Sequence, residues 1–208
     1  MNARAAILAR LARARRDDTP VTARLAAPVR GPGPAPYPDR VARFEARAQA
    51  LASSVVRLPA LKAVPAEVAR YLASLDLPPR LVCWPEWQGL DWAGAGVQAL
   101  CRPAVGSDLI GLTGAFAGIA ETGTLMLISG ETTPATVSLL PETHIAVLPM
   151  SRLVDTLEDA FALLRREAVR WPRAVNLISG PSRTADIEQT VTLGAHGPYR
   201  VHVILIEA

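Results

Sequence analysis

Residues 124–148, TLMLISGETTPATVSLLPETHIAVL, contain two continuous apolar runs separated by a segment rich in turn-forming residues. The runs are TLMLI at 124–128 and HIAVL at 144–148, and a third run, AVNLI, follows at 174–178. Continuous rather than alternating apolar residues are typical of strands that are covered on both faces. These runs therefore predict the buried strands of an α/β sheet.

Amphipathic helices are predicted on either side of these runs. Apolar residues recur at three- and four-residue steps from 41 to 51, and the Asp39 carboxylate is placed to accept the first free backbone N–H groups. A second helix is predicted over 65–75, with a proline in its first turn. The clearest amphipathic helix is predicted to start at Ser151, and Pro172 ends it.

Shorter strands complete the pattern. They are predicted at 55–56, 81–83 and 108–112, and a closing β pair is predicted from 190–193 and 201–206. The alternation of strands and helices favours an α/β fold with a mostly parallel sheet flanked by helices. In such sheets ligands bind at the carboxyl ends of the strands, near a topological switch point.

The first 38 residues differ in composition from the rest of the chain. Residues 1–16 are arginine-rich and have the pattern of a short amphipathic helix, whereas 17–38 contain six prolines and two glycines. Proline removes backbone donors and fixes φ, which is typical of an extended linker. We therefore predict a helical arm and linker over 1–38 and one α/β domain over 39–208.

Charge and composition argue against several classes of protein. The net charge is only +3 and the arginines form no concentrated stripe, so we expect no nucleic-acid partner. No stretch approaches ~20 consecutive apolar residues and no signal sequence is recognisable, so we expect no membrane span and a cytoplasmic location. Cys83 and Cys101 form no CxxC pair, and we interpret them as reduced, buried thiols in a protein without a cofactor.

The first block that can carry chemistry is the glycine-rich segment 111–124, GLTGAFAGIAETGT. Its glycines allow sharp turns and a close approach of the backbone to a ligand. Glu121 is the only carboxylate in the block, and partial desolvation there would suit it to act as a base or nucleophile. The alternative is that Glu121 accepts hydrogen bonds from nearby backbone N–H groups or pairs with an arginine.

The second block is 179–188, SGPSRTADIE, directly after an apolar run. Ser182 or Thr184 is a natural N-cap, and the free N–H groups of a helix start bind anions. Arg183 can add a bidentate clamp for a carboxylate or phosphate. The alternative is an ordinary capped helix start in which Asp186 already accepts from those N–H groups.

We expect a ligand to contact residues from both blocks and from the turn that follows them. These residues are Gly118, Thr122, Gly123, Thr124, Ser179, Gly180, Ser182, Arg183, Thr184, Asp186 and His196. The three histidines show no HxH or HExxH spacing, so we predict no metal site.

The segments GLTGAFAGIAETGTLML, LLPETHIAVLP and NLISGPSRTADIEQTVTLGAHGP occur in this order, and together they resemble the LUD-domain family of lactate-utilization proteins. The resemblance covers roughly residues 40–206 and is most specific at SGPSRTADIE and GAHGP. It implies a fold similar to the NagB/RpiA/CoA-transferase group. It also implies a part in the oxidation of L-lactate to pyruvate together with iron–sulfur partner proteins.

Three hypotheses about function follow. The first is a non-redox subunit whose crevice binds a small carboxylate or phosphorylated ligand and which acts with those iron–sulfur partners. The second is an acyl- or CoA-transfer enzyme that uses Glu121, which rests on analogy with the fold group alone. The third is a binding module that senses a small anion through Arg183 and the turn from Ser182 to Thr184.

Overall fold

The structure is a computed structural model that describes residues 3–14, 31, 33–184 and 192–207. The chain divides into two compact units, residues 1–35 and 36–208. The first unit contains helix α1 (Ala3–Ala14), whose described side chains are exposed. Most of the predicted proline-rich linker lies outside the described residues.

The second unit contains alternating strands and helices. In chain order its elements are α2 (Arg40–Ala50), β1 (Ser54–Leu58), α3 (Val64–Ser74), β2 (Arg80–Cys83), β3 (Gln98–Cys101), β4 (Ile110–Gly114), β5 (Ala117–Ile119), β6 (Thr124–Ile128), α4 (Thr136–Leu139), β7 (Thr143–Pro149), β8 (Leu153–Val154), α5 (Leu157–Glu167), β9 (Val175–Ile178), β10 (Arg183–Thr184), β11 (Thr192–Leu193) and β12 (Arg200–Ile206).

Six of these strands form one parallel sheet in the order β1-β12-β7-β4-β2-β3. Its central strands β12, β7 and β4 are buried almost throughout, as continuous apolar runs require. The predicted α/β fold with a mostly parallel sheet and flanking helices is thus confirmed.

A second, mixed sheet has the order β8-β5-β6-β9. Successive residues of a strand point to opposite faces, and β6 shows this directly. Leu125 and Leu127 belong to the larger hydrophobic cluster, which also contains the parallel sheet, whereas Met126 belongs to a smaller cluster with Ala160 and Leu163 of α5. The run TLMLI is therefore covered on both faces, as predicted, but in this second sheet.

The run at 174–178 was expected to be a buried strand of the main sheet, and that prediction is wrong. It forms β9, which pairs antiparallel with β6 at the edge of the mixed sheet. Its residues are only partly buried, and Leu177 is 44% exposed. An apolar run alone does not specify which sheet a strand joins.

Helix α5 begins at Leu157, not near Ser151. Thr156 is the N-cap and forms a capping box with Asp159. Leu153 continues the apolar spacing of this helix towards the N-terminus, but it lies in β8 and pairs with Gly118 of β5. Local periodicity therefore extended the predicted helix into a strand.

The predicted closing β pair is also wrong. Strand β12 lies between β1 and β7 in the parallel sheet, and β11 pairs antiparallel with β10. Arg183 and Thr184 form strand β10, so no helix begins directly after Ser182. The residues that would follow an N-cap at Thr184 lie outside the described residues. The helix predicted over 41–51 is confirmed as α2, and the Asp39 carboxylate accepts a hydrogen bond from the Ala42 N–H.

Candidate functional site

The two predicted blocks meet in space because β6 and β9 are neighbours. Leu125 pairs with Ile178, which brings the residues before β6 beside those after β9. Three hydroxyl groups form a chain there: Thr122 Oγ1 lies 2.7 Å from Thr124 Oγ1, which lies 2.7 Å from Ser179 Oγ. We call these three residues the hydroxyl cluster. Its middle member is buried and the outer two are exposed.

Gly123 and Gly180, on either side of this cluster, both have positive φ. A Cβ at Gly123 would collide with the backbone of Arg47 and Ala48, and one at Gly180 would collide with the Leu51 carbonyl. Both glycines thus allow the blocks to pack closely against the carboxyl end of α2. The sequence predicted a close approach of the backbone to a ligand, and at these two glycines the structure shows a close approach to this helix.

Arg183 also faces this helix end. Its guanidinium donates a hydrogen bond of 3.1 Å to the Leu51 carbonyl, which is an interaction typical of a cation at a helix C-terminus. Next to it, the Ser182 N–H donates to the Pro198 carbonyl and the Gly194 N–H donates to the Ser182 carbonyl. The serine-rich block and the turn that contains the exposed His196 are therefore held together by backbone hydrogen bonds.

The remaining predicted residues are dispersed. Gly118 lies in the core, where a Cβ would meet the side chains of Leu148 and Leu153. The Glu121 N–H donates to the Asp155 carbonyl, while its own side chain is half-buried. Thr184 is buried in β10, and Asp186 lies outside the described residues.

A pocket of about 340 Å³ lies at the carboxyl ends of β2, β4 and β7. In the sheet, β2 has β3 on one side and β4 on the other. The chain continues from β2 to β3 on the first side, whereas from β4 it continues to β7, which lies in the opposite direction across the sheet. The chain thus reverses its direction across the sheet between β2 and β4, which is where open α/β sheets bind ligands. We call this cavity the switch-point pocket. The residues that line it are Trp84, Glu86, Trp87, Gly114, Ala115, Phe116, Ile128, Thr133, Val147, Pro149 and Arg152.

Glu86 and Trp87 lie against Gly114 at the end of β4. A Cβ at Gly114 would come within 2.5 Å of Glu86 Oε1 and 3.3 Å of the Trp87 ring. The Glu86 side chain as a whole is exposed, but burial of its carboxyl end raises its pKa, and the Gly114 backbone partly opposes this shift.

Arg152 is the cation of the switch-point pocket, and its charge is already matched. Its Nε donates to the Phe116 carbonyl at 2.8 Å, and its Nη1 lies 2.9 Å from Glu167 Oε2. Its guanidinium also lies over the Phe116 ring, 4.6 Å from the centroid.

The switch-point pocket lies at the carboxyl ends of parallel strands, where the sequence predicted a site, but none of the residues predicted to contact a ligand lines it. The signal that could have found the pocket is the segment WPEW at 84–87, which places two tryptophans and a carboxylate directly after a buried strand. Gly114 and Phe116 were within the glycine-rich block but were not predicted to contact a ligand. Their role depends on β2 and β4 being adjacent, which the sequence does not reveal.

The histidines in the parallel sheet are buried. His144 Nε2 lies 2.8 Å from Thr113 Oγ1, and burial lowers the pKa of His144 to about 4. His202 stacks on Tyr71, and burial lowers its pKa to about 4, although Glu67 opposes the shift. Both imidazoles are therefore neutral at physiological pH.

Cys83 and Cys101 are register partners on β2 and β3, with their sulfur atoms 3.0 Å apart. Burial raises the pKa of the Cys83 thiol, and the neighbouring thiol adds to the shift. Within the described residues, no group of three or more His, Cys, Asp or Glu side chains is arranged to hold a metal ion. The described helices also include none that is long and apolar enough to cross a membrane.

The fold and the switch-point pocket define an α/β protein with a crevice at the topological switch point of a parallel sheet. The family model of the LUD domain matches residues 88–206, and the chain therefore belongs to the LUD domain family.

Curated relatives extend this similarity. Lactate utilization protein C from Exiguobacterium sp. is 38% identical over 144 residues, covering 66% of this chain and 61% of that protein. Lactate utilization protein C from Halalkalibacterium halodurans is 43% identical over 119 residues, covering 56% of this chain and 51% of that protein. The chain thus spans between 51% and 61% of the length of these two relatives.

A solved structure shares the fold. The crystal structure of a DUF162 family protein from Deinococcus radiodurans superposes with a TM-score of 0.60 and 24% sequence identity. The match covers 80% of this chain and 96% of that one.

Proposed function

We propose that this protein takes part in lactate utilization as a subunit that carries no redox cofactor and acts with iron–sulfur partner proteins in the oxidation of L-lactate to pyruvate. The observation that carries the proposal is the 38% identity over 144 residues to a protein named lactate utilization protein C. The sequence supports the non-redox part, because its two cysteines form no CxxC motif.

In this proposal the corner formed by the hydroxyl cluster, Ser182 and His196 contacts a small carboxylate or phosphorylated ligand. The exposed hydroxyls of Thr122 and Ser179 can donate hydrogen bonds to such an anion. Arg183 is exposed and donates one hydrogen bond to the Leu51 carbonyl at the end of α2. A guanidinium has five N–H groups, so this bond leaves its charge and further donors for the same anion.

A genetic test addresses the role in lactate utilization. Deleting the gene should slow growth on L-lactate as sole carbon source but not on glucose, and the wild-type gene should restore it. A tagged copy purified from lactate-grown cells should bring with it proteins that show the visible absorption of iron–sulfur clusters. Unchanged growth on lactate together with no such co-purification would refute the proposal.

Glu121→Gln separates the subunit from the acyl-transfer enzyme. This change keeps the size and the polarity of the half-buried side chain but removes its ability to act as a nucleophile. We expect the variant to restore growth of the deletion strain as well as the wild type does. A variant that is folded, by circular dichroism, but fails to restore growth would favour the enzyme.

A further inference from the structure

We propose that the switch-point pocket binds an uncharged, planar nitrogen heterocycle of about the size of a nucleobase. This inference goes beyond the proposed role in lactate utilization and does not rest on it, because the pocket is lined by none of the residues of the hydroxyl cluster. It rests on the volume of the pocket, its aromatic walls, one unpaired hydrogen-bond donor and one carboxyl group that no cation of the described residues pairs with.

The size and the walls of the pocket favour a flat ligand. A volume of about 340 Å³ is at the lower end of the range of roughly 300–1,000 Å³ for small-molecule sites, which suits a single ring system with a small substituent. Trp84, Trp87 and Phe116 contribute aromatic rings to the lining, and the two tryptophans are only 4% and 8% exposed. Aromatic rings bind other flat rings by offset or edge-to-face stacking.

The Trp87 indole supplies the unpaired donor. Its Nε1 is buried and has no hydrogen-bond partner in the part of the chain that the structure describes. The neighbouring indoles are paired, since Trp84 Nε1 donates to the Pro134 carbonyl at 3.2 Å and Trp92 Nε1 to the Trp87 carbonyl at 2.7 Å. Buried donors are nearly always paired in folded proteins, and the Trp87 Nε1 is one of the few described exceptions; because Trp87 lines the pocket, we assign its partner to an acceptor on the ligand.

The carboxyl group of Glu86 disfavours an anionic ligand. Among the described residues no cation pairs with its carboxyl group, whereas Arg152 is matched by Glu167. An anionic ligand would therefore meet an uncompensated carboxylate, and a neutral ligand with an N–H group would donate to it. A ring nitrogen or carbonyl that accepts from Trp87, with an N–H group that donates to Glu86, satisfies both groups at once.

Isothermal titration calorimetry with the full chain tests this assignment. The probes are adenine and nicotinamide, which are neutral heterocycles, and nicotinate, which keeps the ring of nicotinamide but replaces its amide with a carboxylate. We expect saturable binding of at least one neutral probe and binding of nicotinate that is weaker than that of nicotinamide by about tenfold or more.

Two variants locate the binding. Trp87→Phe keeps an aromatic ring but removes the N–H, and it should weaken binding of the neutral probe by about tenfold. Glu86→Gln removes the charge at an exposed side chain and should reduce the preference for nicotinamide over nicotinate. Trp171→Phe is the matched control, because this tryptophan is 61% exposed and does not line the pocket, and it should bind as the wild type does.

The assignment would be overturned if neither adenine nor nicotinamide bound, if nicotinate bound the wild type as tightly as nicotinamide did, or if Trp87→Phe and Glu86→Gln both bound like the wild type. Should Trp87→Phe fail to fold, Glu86→Gln decides the matter by itself, because its side chain is exposed. None of these outcomes bears on growth on lactate, so this inference and the proposed function can fail separately.

Discussion

At the scale of single residues, the glycines beside the hydroxyl cluster illustrate how a motif can serve the fold. Gly123 has a φ of 69°, and any Cβ there would collide with the backbone of α2. A glycine-rich segment after a strand suggests a loop that contacts a ligand, but here the backbone of Gly123 packs against helix α2 of the same chain. A glycine that packs on a helix and a glycine that contacts a ligand differ in how far a substitution lowers the stability of the protein.

We expect Gly123→Ala to destabilise the protein by roughly 1–3 kcal/mol, because alanine at a positive φ is strained and its Cβ has no space. Gly106→Ala is the control, since a Cβ there meets nothing within 4 Å. It should change the free energy of unfolding by no more than about 0.5 kcal/mol. Urea denaturation of both variants checks this, and equal stabilities would show that Gly123 is free to change.

The buried histidines predict a pH dependence of stability. The pKa of His144 and that of His202 are each lowered from 6.5 to about 4 in the folded protein. Below about pH 6.5 the unfolded chain binds protons that the folded chain does not, so stability is full above that pH and is lost as the pH falls towards 4. Each histidine contributes up to roughly 3 kcal/mol to this loss.

The free energy of unfolding, measured by urea at a series of pH values across this window, should fall more steeply for the wild type than for His144→Gln. Glutamine keeps a polar side chain beside Thr113 but does not titrate. Carboxyl groups whose pKa is lowered by arginine partners, such as Asp108 and Asp155, add a further loss at lower pH in both proteins. Identical slopes for the two proteins would contradict the assignment to His144.

At the scale of elements, the start of α5 depends on one capping box. The Asp159 N–H donates to Thr156 Oγ1, and Asp159 Oδ2 accepts from both the hydroxyl and the N–H of Thr156. Apolar periodicity placed this start several residues too early, whereas the threonine and aspartate three residues apart mark the start that the structure shows. Capping residues specify a helix boundary better than the apolar face does.

Thr156→Val, which keeps the shape of the side chain but removes the hydroxyl, should cost about 1 kcal/mol or more because it leaves a helix N-terminus uncapped. Thr156→Ser keeps the hydroxyl and should retain the cap, losing only the contacts of one buried methyl group. Thermal and urea denaturation of both variants measure the difference. A valine variant as stable as the serine variant would show that the cap contributes little.

At the scale of the whole molecule, the 36–208 unit contains its own core. Among the described residues, the members of both hydrophobic clusters lie within 37–206. The boundary predicted from sequence, at residue 39, falls after Tyr37, although Tyr37 packs on the larger cluster and its N–H donates to Asp155. The same aspartate binds Arg40 through two hydrogen bonds of 2.9 and 2.8 Å.

We therefore predict that a chain beginning at residue 36 folds with a free energy of unfolding within about 0.5 kcal/mol of the full chain. A chain beginning at residue 39 loses Tyr37 and should be less stable by roughly 1–3 kcal/mol. Urea denaturation of the two truncated chains makes the comparison. If both truncated chains were equally stable, Tyr37 would contribute nothing measurable to the free energy of unfolding of the domain.

By itself the sequence determined the α/β class, the strands with continuous apolar runs and the capped start of α2. These features are local: an apolar run or a capping residue acts on the few residues next to it. Only the tertiary structure decided that β6 and β9 belong to a second sheet, and that β12 lies inside the first one.

The same division holds for the sites. Sequence placed Thr124 and Ser179 at strand ends, and their contact followed from the pairing of β6 with β9. The switch-point pocket requires two loops, after β2 and β4, whose adjacency comes from a sheet order that no local pattern encodes. Strand order depends on how whole elements bury their faces against one another, and this is why the pocket became visible only in three dimensions.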